Sequence, residues 1–189
     1  MCRYEPDGGP DSVRVTPLND IAIITLDRVI TTRAVTPICL PERTRTFPSG
    51  QGVVAGWGQT TRATKGKQVS ELLYAFIDVY NTTQCRQKYT DFVSGDTEIF
   101  EINEKMICGG NSQTDTCKGN TENTGDVRLV CYKGDSGGPL MYNELWSSLR
   151  WEVQGVVSFG PKTCGSDKLP GVFTKVDKYL PWIRRNTKF

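Results

Sequence analysis

Short apolar segments separated by polar, turn-rich stretches run through the middle and the end of the sequence. They lie at positions 53–57, 72–80, 105–108, 140–142, 151–159 and 171–176. Each is as long as a typical strand, and the spacing between them favours an antiparallel barrel or sandwich. The pattern therefore predicts an all-β fold.

Earlier and later segments add two more strands and two helices to this prediction. Residues 13–15 and 21–26 predict strands, the second as a continuous apolar run between polar flanks. Residues 81–85 predict the start of a short helix, with Asn81 or Thr82 as its cap. Residues 177–185 carry apolar side chains at helical spacing, with Pro181 in the first turn, and predict a closing helix.

The charge and the hydropathy of the chain limit its partners. A net charge of +2 over 189 residues is too small to indicate nucleic acid or an anionic membrane as the main partner. The basic tail at Arg184, Arg185 and Lys188 is interpreted as a solvated helix end. No apolar run reaches the roughly 18 residues of a membrane span, and the polar start has no signal-peptide pattern.

Cysteine usage indicates disulfides. The chain has seven cysteines and no histidine, and no two cysteines have the CxxC spacing. Zinc sites usually need thiolates or imidazoles at such short spacing, so no metal, redox centre or cofactor is predicted. A disulfide-rich type of fold without an export signal predicts that the start of the parent protein is missing from this sequence.

The stretch 134–140, Gly-Asp-Ser-Gly-Gly-Pro-Leu, is the strongest candidate for chemistry. A serine hydroxyl attacks a carbonyl only if a base takes its proton and fixed N–H groups receive the developing oxyanion. Glycines around Ser136 allow the backbone this close approach. An isolated Gly-x-Ser-x-Gly also occurs in surface turns, so the pentapeptide alone leaves both interpretations open.

The full heptapeptide resembles the nucleophile loop of the trypsin family of serine proteases. Two further motifs are similar to the same family, in the same order along the chain: Asn-Asp-Ile-Ala-Ile-Ile-Thr-Leu at 19–26 and Gly-Trp-Gly at 56–58. The resemblance covers the chain from about Asn19 to its end. The stretch Pro-Ile-Cys-Leu-Pro at 37–41 is similar to sequences of arthropod clip-type cascade proteases.

The resemblance implies a double antiparallel Greek-key barrel and a division of this chain. Residues 1–33 are expected to be a remnant of a truncated first barrel, and 34–50 the linker between barrels. Residues 51–176 would form an essentially complete second barrel, and 177–189 the C-terminal α-helix. With unpaired edges in the first barrel, exposed apolar surface and poor solubility are expected.

The resemblance also implies roles at the catalytic centre. Asp20 beside a buried run would by itself favour a turn cap, but its motif implies the catalytic aspartate. Ser136 would be the nucleophile, and the N–H groups of Gly134 and Ser136 the oxyanion hole. Asp135 would pair with the amino terminus freed by zymogen activation. Because the chain has no histidine, catalysis by these residues alone is predicted to fail.

The resemblance implies a specificity pocket lined by Ser158, Gly160 and Gly171. Either glycine could equally mark a strand bend. In the family, a pocket-floor residue and a cysteine stand at fixed distances before the nucleophile, and this spacing is off by one residue before Ser136. Deleting residues 120–134 restores the spacing and places Asp115 at the pocket floor. A carboxylate there implies cleavage after Arg or Lys. We therefore interpret 120–134 as a retained intron or a wrongly assigned exon, since codons for Gly119-Asn120 and Lys133-Gly134 can supply splice signals.

Four cysteines match two family disulfides, Cys85–Cys108 and Cys117–Cys164. Cys39 would bond to a propeptide or light chain. The implied parent is a secreted zymogen with protein substrates; the alternative is a non-catalytic homologue acting as a binding or regulatory module. Finally, Asn81 begins an Asn-x-Thr sequon, so it is a candidate for glycosylation as well as for capping.

Overall fold

The computed structural model describes residues 16–42, 50–58, 70–92, 101–110, 134–143, 150–160 and 169–187. Six strands are present in these ranges, each overlapping one of the six segments predicted from the middle and end of the sequence. They are β1 (Gly50–Gly56), β2 (Leu73–Tyr80), β3 (Met106–Gly109), β4 (Pro139–Tyr142), β5 (Glu152–Phe159) and β6 (Gly171–Lys175).

The six strands close into one antiparallel barrel in the order β1-β2-β3-β6-β5-β4. The closing pair joins β1 to β4, with Val53 opposite Met141 and Val54 opposite Leu140. Because β4 pairs with β1 on one side and β5 on the other, the barrel leaves none of these strands as a free edge. The predicted all-β barrel is therefore confirmed.

Side chains that alternate inward along the strands fill the barrel. Ile77, Leu140 and Phe173 are completely buried at its centre. The remaining members of this cluster are Val54, Leu73, Val79, Ile107 and Val157. Burial of this much apolar surface, drawn from all six strands, is what holds the strand ends and their loops in place.

Helix α1 (Thr82–Phe92) packs on the outside of the barrel beside β3. Its start is a reciprocal cap: the Gln84 N–H donates to Asn81 Oδ1 at 2.9 Å, and the Asn81 N–H donates to Gln84 Oε1 at 3.1 Å. Cys85 in its first turn forms a disulfide with Cys108 of β3. Both the predicted cap at Asn81 and the predicted Cys85–Cys108 pairing are confirmed.

The chain ends on a 3₁₀-helix (Val176–Tyr179) followed by helix α2 (Leu180–Asn186). Pro181 lies in the first turn of α2, where its missing N–H costs nothing. Val176, Tyr179 and Ile183 pack together against the barrel exterior. The predicted closing helix is thus confirmed. No helix in the described part of the chain has the length and apolar character needed to cross a membrane.

The segment before the barrel differs from the prediction. Residues 21–26 form no strand, because a strand needs a hydrogen-bonded neighbour and no other described segment pairs with this one. Ile21 and Ile23 are partly buried against the cluster of Val176, Tyr179 and Ile183. The other large apolar side chains stay in solvent: Ile24 is 84% exposed and Leu26 58%, and Val29 further on is 86% exposed. The other predicted early strand, 13–15, lies outside the described residues.

Candidate active site

The loop that carries Ser136 leads into β4 and is fixed against β5 by backbone hydrogen bonds. Gly134 and Gly137 have φ of 100° and 84°, a left-handed conformation that favours glycine. The Gly138 N–H donates to the Asp135 carbonyl at 2.8 Å, and the Gly137 N–H donates to the Val157 carbonyl at 2.9 Å. These bonds close a tight turn that leaves Ser136 exposed at its tip.

Asp135 turns the opposite way, into the protein. Its side chain is 6% exposed, and its Oδ1 accepts the Gly58 N–H at 2.7 Å. A Cβ on Gly56 would collide with this carboxylate, so glycine at 56 makes its burial possible. The other oxygen, Oδ2, is buried and has no hydrogen-bond partner among the described residues. An unpartnered buried carboxylate oxygen is costly, and it marks where a donor could bind.

Burial raises the pKa of Asp135, and the backbone N–H groups of Gly58 and Trp57 only partly oppose this. Between the unfolded pKa near 3.9 and the higher folded value, the folded state holds a proton that the unfolded state has lost. The free energy of unfolding of the wild type should therefore fall relative to Asp135→Asn as the pH rises through that window.

Urea unfolding of both proteins at a series of pH values from about 4 to about 7 measures this difference. The exposed Asp27→Asn is the matched control, and its difference from the wild type should not follow the same trend. A wild type that gains stability relative to Asp135→Asn over this range would contradict the prediction and indicate that a cation already pairs with Asp135.

Asp20 is held against the barrel by two hydroxyl groups. The Ser158 hydroxyl donates to Asp20 Oδ2 at 2.6 Å, and the Thr174 hydroxyl donates to the Asp20 carbonyl at 2.7 Å. Ser158 can reach Asp20 because it is the extra residue of a β-bulge: Val157 and Phe159 pair with successive residues of β6, and Ser158 lies between them. The sequence-predicted Asp20 and Ser158 are thus brought together.

Asn19, immediately before Asp20, is anchored as well. It has a left-handed φ of 54°, and its Oδ1 accepts the Tyr179 hydroxyl and the Lys105 ammonium, both at 3.0 Å. Burial and then the charge of Asp20 raise the pKa of Tyr179. Thr174, Tyr179 and Lys105 were not predicted from the sequence, since each lies far along the chain from the Asn19-Asp20 pair that it supports.

The two parts of the site meet on consecutive residues of β5. The nucleophile loop is bonded to Val157 in both directions, because the Val157 N–H also donates to the Gly138 carbonyl at 2.9 Å. Asp20 is bonded to Ser158, the next residue. A buried strand thereby fixes an acidic side chain and an exposed serine relative to each other, as a nucleophile that is activated through a base requires.

The expected pocket walls lie at the end of β5 and at the start of β6. Gly160 lies just after β5, and Gly171 opens β6 opposite Gly109. Tyr89 of α1 supports this region: its hydroxyl donates to the Pro170 carbonyl at 2.6 Å, and its ring packs edge-on against Phe159. Burial raises the pKa of the Tyr89 hydroxyl. The only sequence signal for Tyr89 was its helical spacing from Cys85.

Other predicted features are only partly located. Asp115, Cys117, Cys164 and residues 120–133 of the suspected insertion lie outside the described residues. Cys39 is exposed and forms no disulfide with any cysteine in the described ranges. Its backbone pairs with β5, because its N–H donates to the Trp151 carbonyl at 2.9 Å and its carbonyl accepts the Val153 N–H at 3.0 Å. The predicted linker is therefore attached to the same strand as the loop and Asp20.

The closed barrel, the C-terminal helix and the glycine-rich serine loop are the features of the chymotrypsin-like fold class. The chain belongs to the trypsin family, whose model matches residues 4–121 and 124–183. This match begins earlier than the predicted start near Asn19. It breaks only at 122–123, inside the suspected insertion, and resumes before the end of that segment.

Three curated relatives show the kind of trypsin-family protein to which the chain is similar. Melanization protease 1 of Drosophila melanogaster is 34% identical over 179 residues, 90% of this chain and 38% of that protein. Phenoloxidase-activating factor 3 of Holotrichia diomphalia is 34% identical, covering 90% and 42%. Phenoloxidase-activating enzyme of Bombyx mori is 36% identical, covering 88% and 35%.

These relatives bear on two points. The predicted resemblance to arthropod clip-type proteases is confirmed, since a CLIP domain-containing serine protease of Anopheles gambiae is also 34% identical over 89% of the chain. The chain spans about two fifths of the length of these proteins or slightly less.

Proposed function

We propose that this sequence is part of a secreted trypsin-like endopeptidase that cleaves proteins after Arg or Lys. The observation that carries the proposal is the attachment of Asp20 and of the Ser136 loop to neighbouring residues of β5. A solvent-exposed serine at the tip of a rigid glycine turn and a carboxylate held by a hydroxyl are two of the three groups of a serine-protease triad.

In the proposed reaction the Ser136 Oγ attacks the substrate carbonyl as a base takes its proton. The leaving amine then receives that proton, and water hydrolyses the acyl ester on Ser136. The base is an imidazole oriented by Asp20 and supplied from outside these 189 residues, which contain no histidine. We therefore propose that the sequence as printed is catalytically incompetent alone.

The oxyanion formed in this step would be received by the N–H groups of Gly134 and Ser136. Within the described ranges neither group donates to a protein acceptor, whereas the next two N–H groups, of Gly137 and Gly138, are both used internally. Free donors beside the nucleophile support this assignment. The unpartnered Oδ2 of Asp135 supports its pairing with an activation-generated amino terminus in the parent zymogen.

The proposed preference for Arg and Lys rests on Asp115 at the pocket floor, with Ser158, Gly160 and Gly171 as walls. Small residues at 160 and 171 leave room for a long side chain, and a buried carboxylate would pair with its charged end. This geometry requires the register obtained without 120–134. We therefore also propose that the mature protease lacks that segment, so that Gly119 stands directly before Asp135 and supplies the N–H assigned above to Gly134, and that Cys117–Cys164 forms there.

The proposed partners follow from the family and from the names of the relatives. Protein substrates, an extracellular location and a propeptide or light chain bonded through Cys39 are typical of cascade proteases. The exposure of the Cys39 thiol supports the last of these. Proteins named for melanization and phenoloxidase activation are the similar ones, so we propose a zymogen of such a cascade as the substrate class.

The test begins with the full transcript, read upstream of Met1 and across Gly119 to Asp135. The printed chain, the full product and full product Asp115→Asn are then assayed on matched peptides with Arg, Lys, Leu or Glu before the scissile bond. We expect only the full product to cleave, after Arg and Lys, with Asp115→Asn losing that preference. A transcript that ends as printed, or equal cleavage by the printed chain, would contradict the proposal.

A further inference from the structure

The sequon at Asn81 uses a residue whose side chain already has a structural role. Asn81-Thr82-Thr83 is the sequence's one Asn-x-Ser/Thr site. Asn81 and Thr83 are exposed, while Thr82 is buried and its hydroxyl donates to the Met106 carbonyl at 3.1 Å. The two residues that define the sequon therefore face solvent, and the middle residue anchors it to β3.

Capping and modification require different atoms of Asn81. The cap uses Oδ1, which accepts the Gln84 N–H, and the backbone N–H, which donates to Gln84 Oε1. The Asn81 carbonyl accepts the Cys85 N–H at 2.9 Å as the first bond of the helix. Nδ2, by contrast, donates to no acceptor in the part of the chain that the structure describes, and this is the atom that an N-linked sugar modifies.

We propose that Asn81 carries an N-linked oligosaccharide while its Oδ1 continues to cap α1. The donor is an oligosaccharide joined through C1 to a lipid diphosphate. Nδ2 forms a bond to that C1, the C1–O bond breaks with its electron pair leaving on the lipid diphosphate, and Nδ2 loses one proton. The amide carbonyl is unchanged, so its acceptor oxygen remains available.

The position is also compatible with the proposed active site. Asn81 follows the last residue of β2, Tyr80, whereas the first residue, Leu73, pairs with Gly56, which lies against Asp135. Seven strand steps separate these ends by roughly 23 Å. A sugar at Asn81 would therefore extend from the end of the barrel remote from the nucleophile loop.

The inference rests on the secretory location in the proposed function. It is tested by the mass of the expressed protein and not by proteolysis. The chain is expressed in insect cells behind a cleavable secretory leader and captured from both cells and medium, so that retention inside the cell does not hide the result. The variants are Thr83→Ala and Asn81→Asp, which destroy the sequon but keep a capping oxygen, and Thr83→Ser, which keeps both.

We expect the wild type and Thr83→Ser to lose the mass of one oligosaccharide on peptide N-glycosidase treatment, with residue 81 converted to aspartate. Thr83→Ala and Asn81→Asp should show no such loss. The melting temperatures of glycosylated wild type and of Asn81→Asp should agree, whereas Asn81→Ala should melt lower because it has no cap.

Unmodified wild type whose leader has been removed would overturn the inference without bearing on proteolysis. A glycosylated wild type that melts as low as Asn81→Ala would overturn the shared use of the side chain. Conversely, a glycosylated chain whose full-length product never cleaves a peptide would contradict only the proposed function.

Discussion

Replacing Ser136 by alanine is expected to lower kcat of the full, histidine-containing product by about 10⁶-fold, the loss typical of a serine protease without its nucleophile. The reason lies in the loop geometry. Ser136 is the exposed hydroxyl at the tip of a turn closed by Gly137 and Gly138, and alanine leaves the turn and the proposed oxyanion donors in place. The residual rate should therefore be that of binding and oxyanion stabilisation, about 10³ to 10⁴-fold over water.

Initial rates on an Arg peptide, with titration by a serine-directed covalent inhibitor, measure this effect. The exposed Ser70→Ala is the matched control and should leave kcat/KM unchanged. In the chain as printed, Ser136→Ala should change nothing, because the sequence contains no histidine to act as the proposed base. A full product that keeps most of its rate after Ser136→Ala would place the nucleophile elsewhere and refute the assignment.

Replacing Phe173 by alanine is expected to lower the free energy of unfolding by about 3–5 kcal/mol. Phe173 is completely buried, and its strand neighbours in the register are Ile107 and Val157. The barrel backbone is closed and cannot collapse around a missing ring, so both the lost burial and the cavity contribute. Against a typical total of about 5–15 kcal/mol, this one change should leave a large unfolded fraction.

Urea unfolding followed by tryptophan fluorescence checks this expectation. Phe173→Leu, which keeps most of the volume, should cost about 1.5 kcal/mol or less. The outward-facing Phe76, 44% exposed on β2, provides the matched control: Phe76→Ala should cost much less than Phe173→Ala. Equal losses at the two positions would show that the barrel interior is not the source of the stability.

The barrel could be predicted from the sequence because its signals are local. Each strand is a short apolar segment between turns. The cap of α1 is formed by Asn81 and Gln84, which stand three residues apart. These elements depend on neighbours in the chain or on one another inside the barrel. The heptapeptide around Ser136 was equally local, since its left-handed glycines, Gly134 and Gly137, stand in the motif itself.

What could not be predicted depends on contacts between distant segments. The apolar run at 21–26 has the pattern of a strand, but a strand forms only where another chain segment supplies its hydrogen bonds. The supports of Asn19, at Lys105 and Tyr179, lie 86 and 160 residues away. A single sequence shows such residues as ordinary polar or aromatic positions until the fold brings them together.

The bulge at Ser158 has a consequence for how the protein can change over evolutionary time. Because Ser158 is an extra residue between Val157 and Phe159 in the β5–β6 ladder, deleting it would leave a regular and equally hydrogen-bonded sheet. The molecule would then lose the hydroxyl that binds the Asp20 carboxylate, while Thr174 would still bond the Asp20 carbonyl. A lineage of this barrel could thus give up the proposed catalytic role of Asp20 through the loss of one codon, and a return would require reinsertion at the same place.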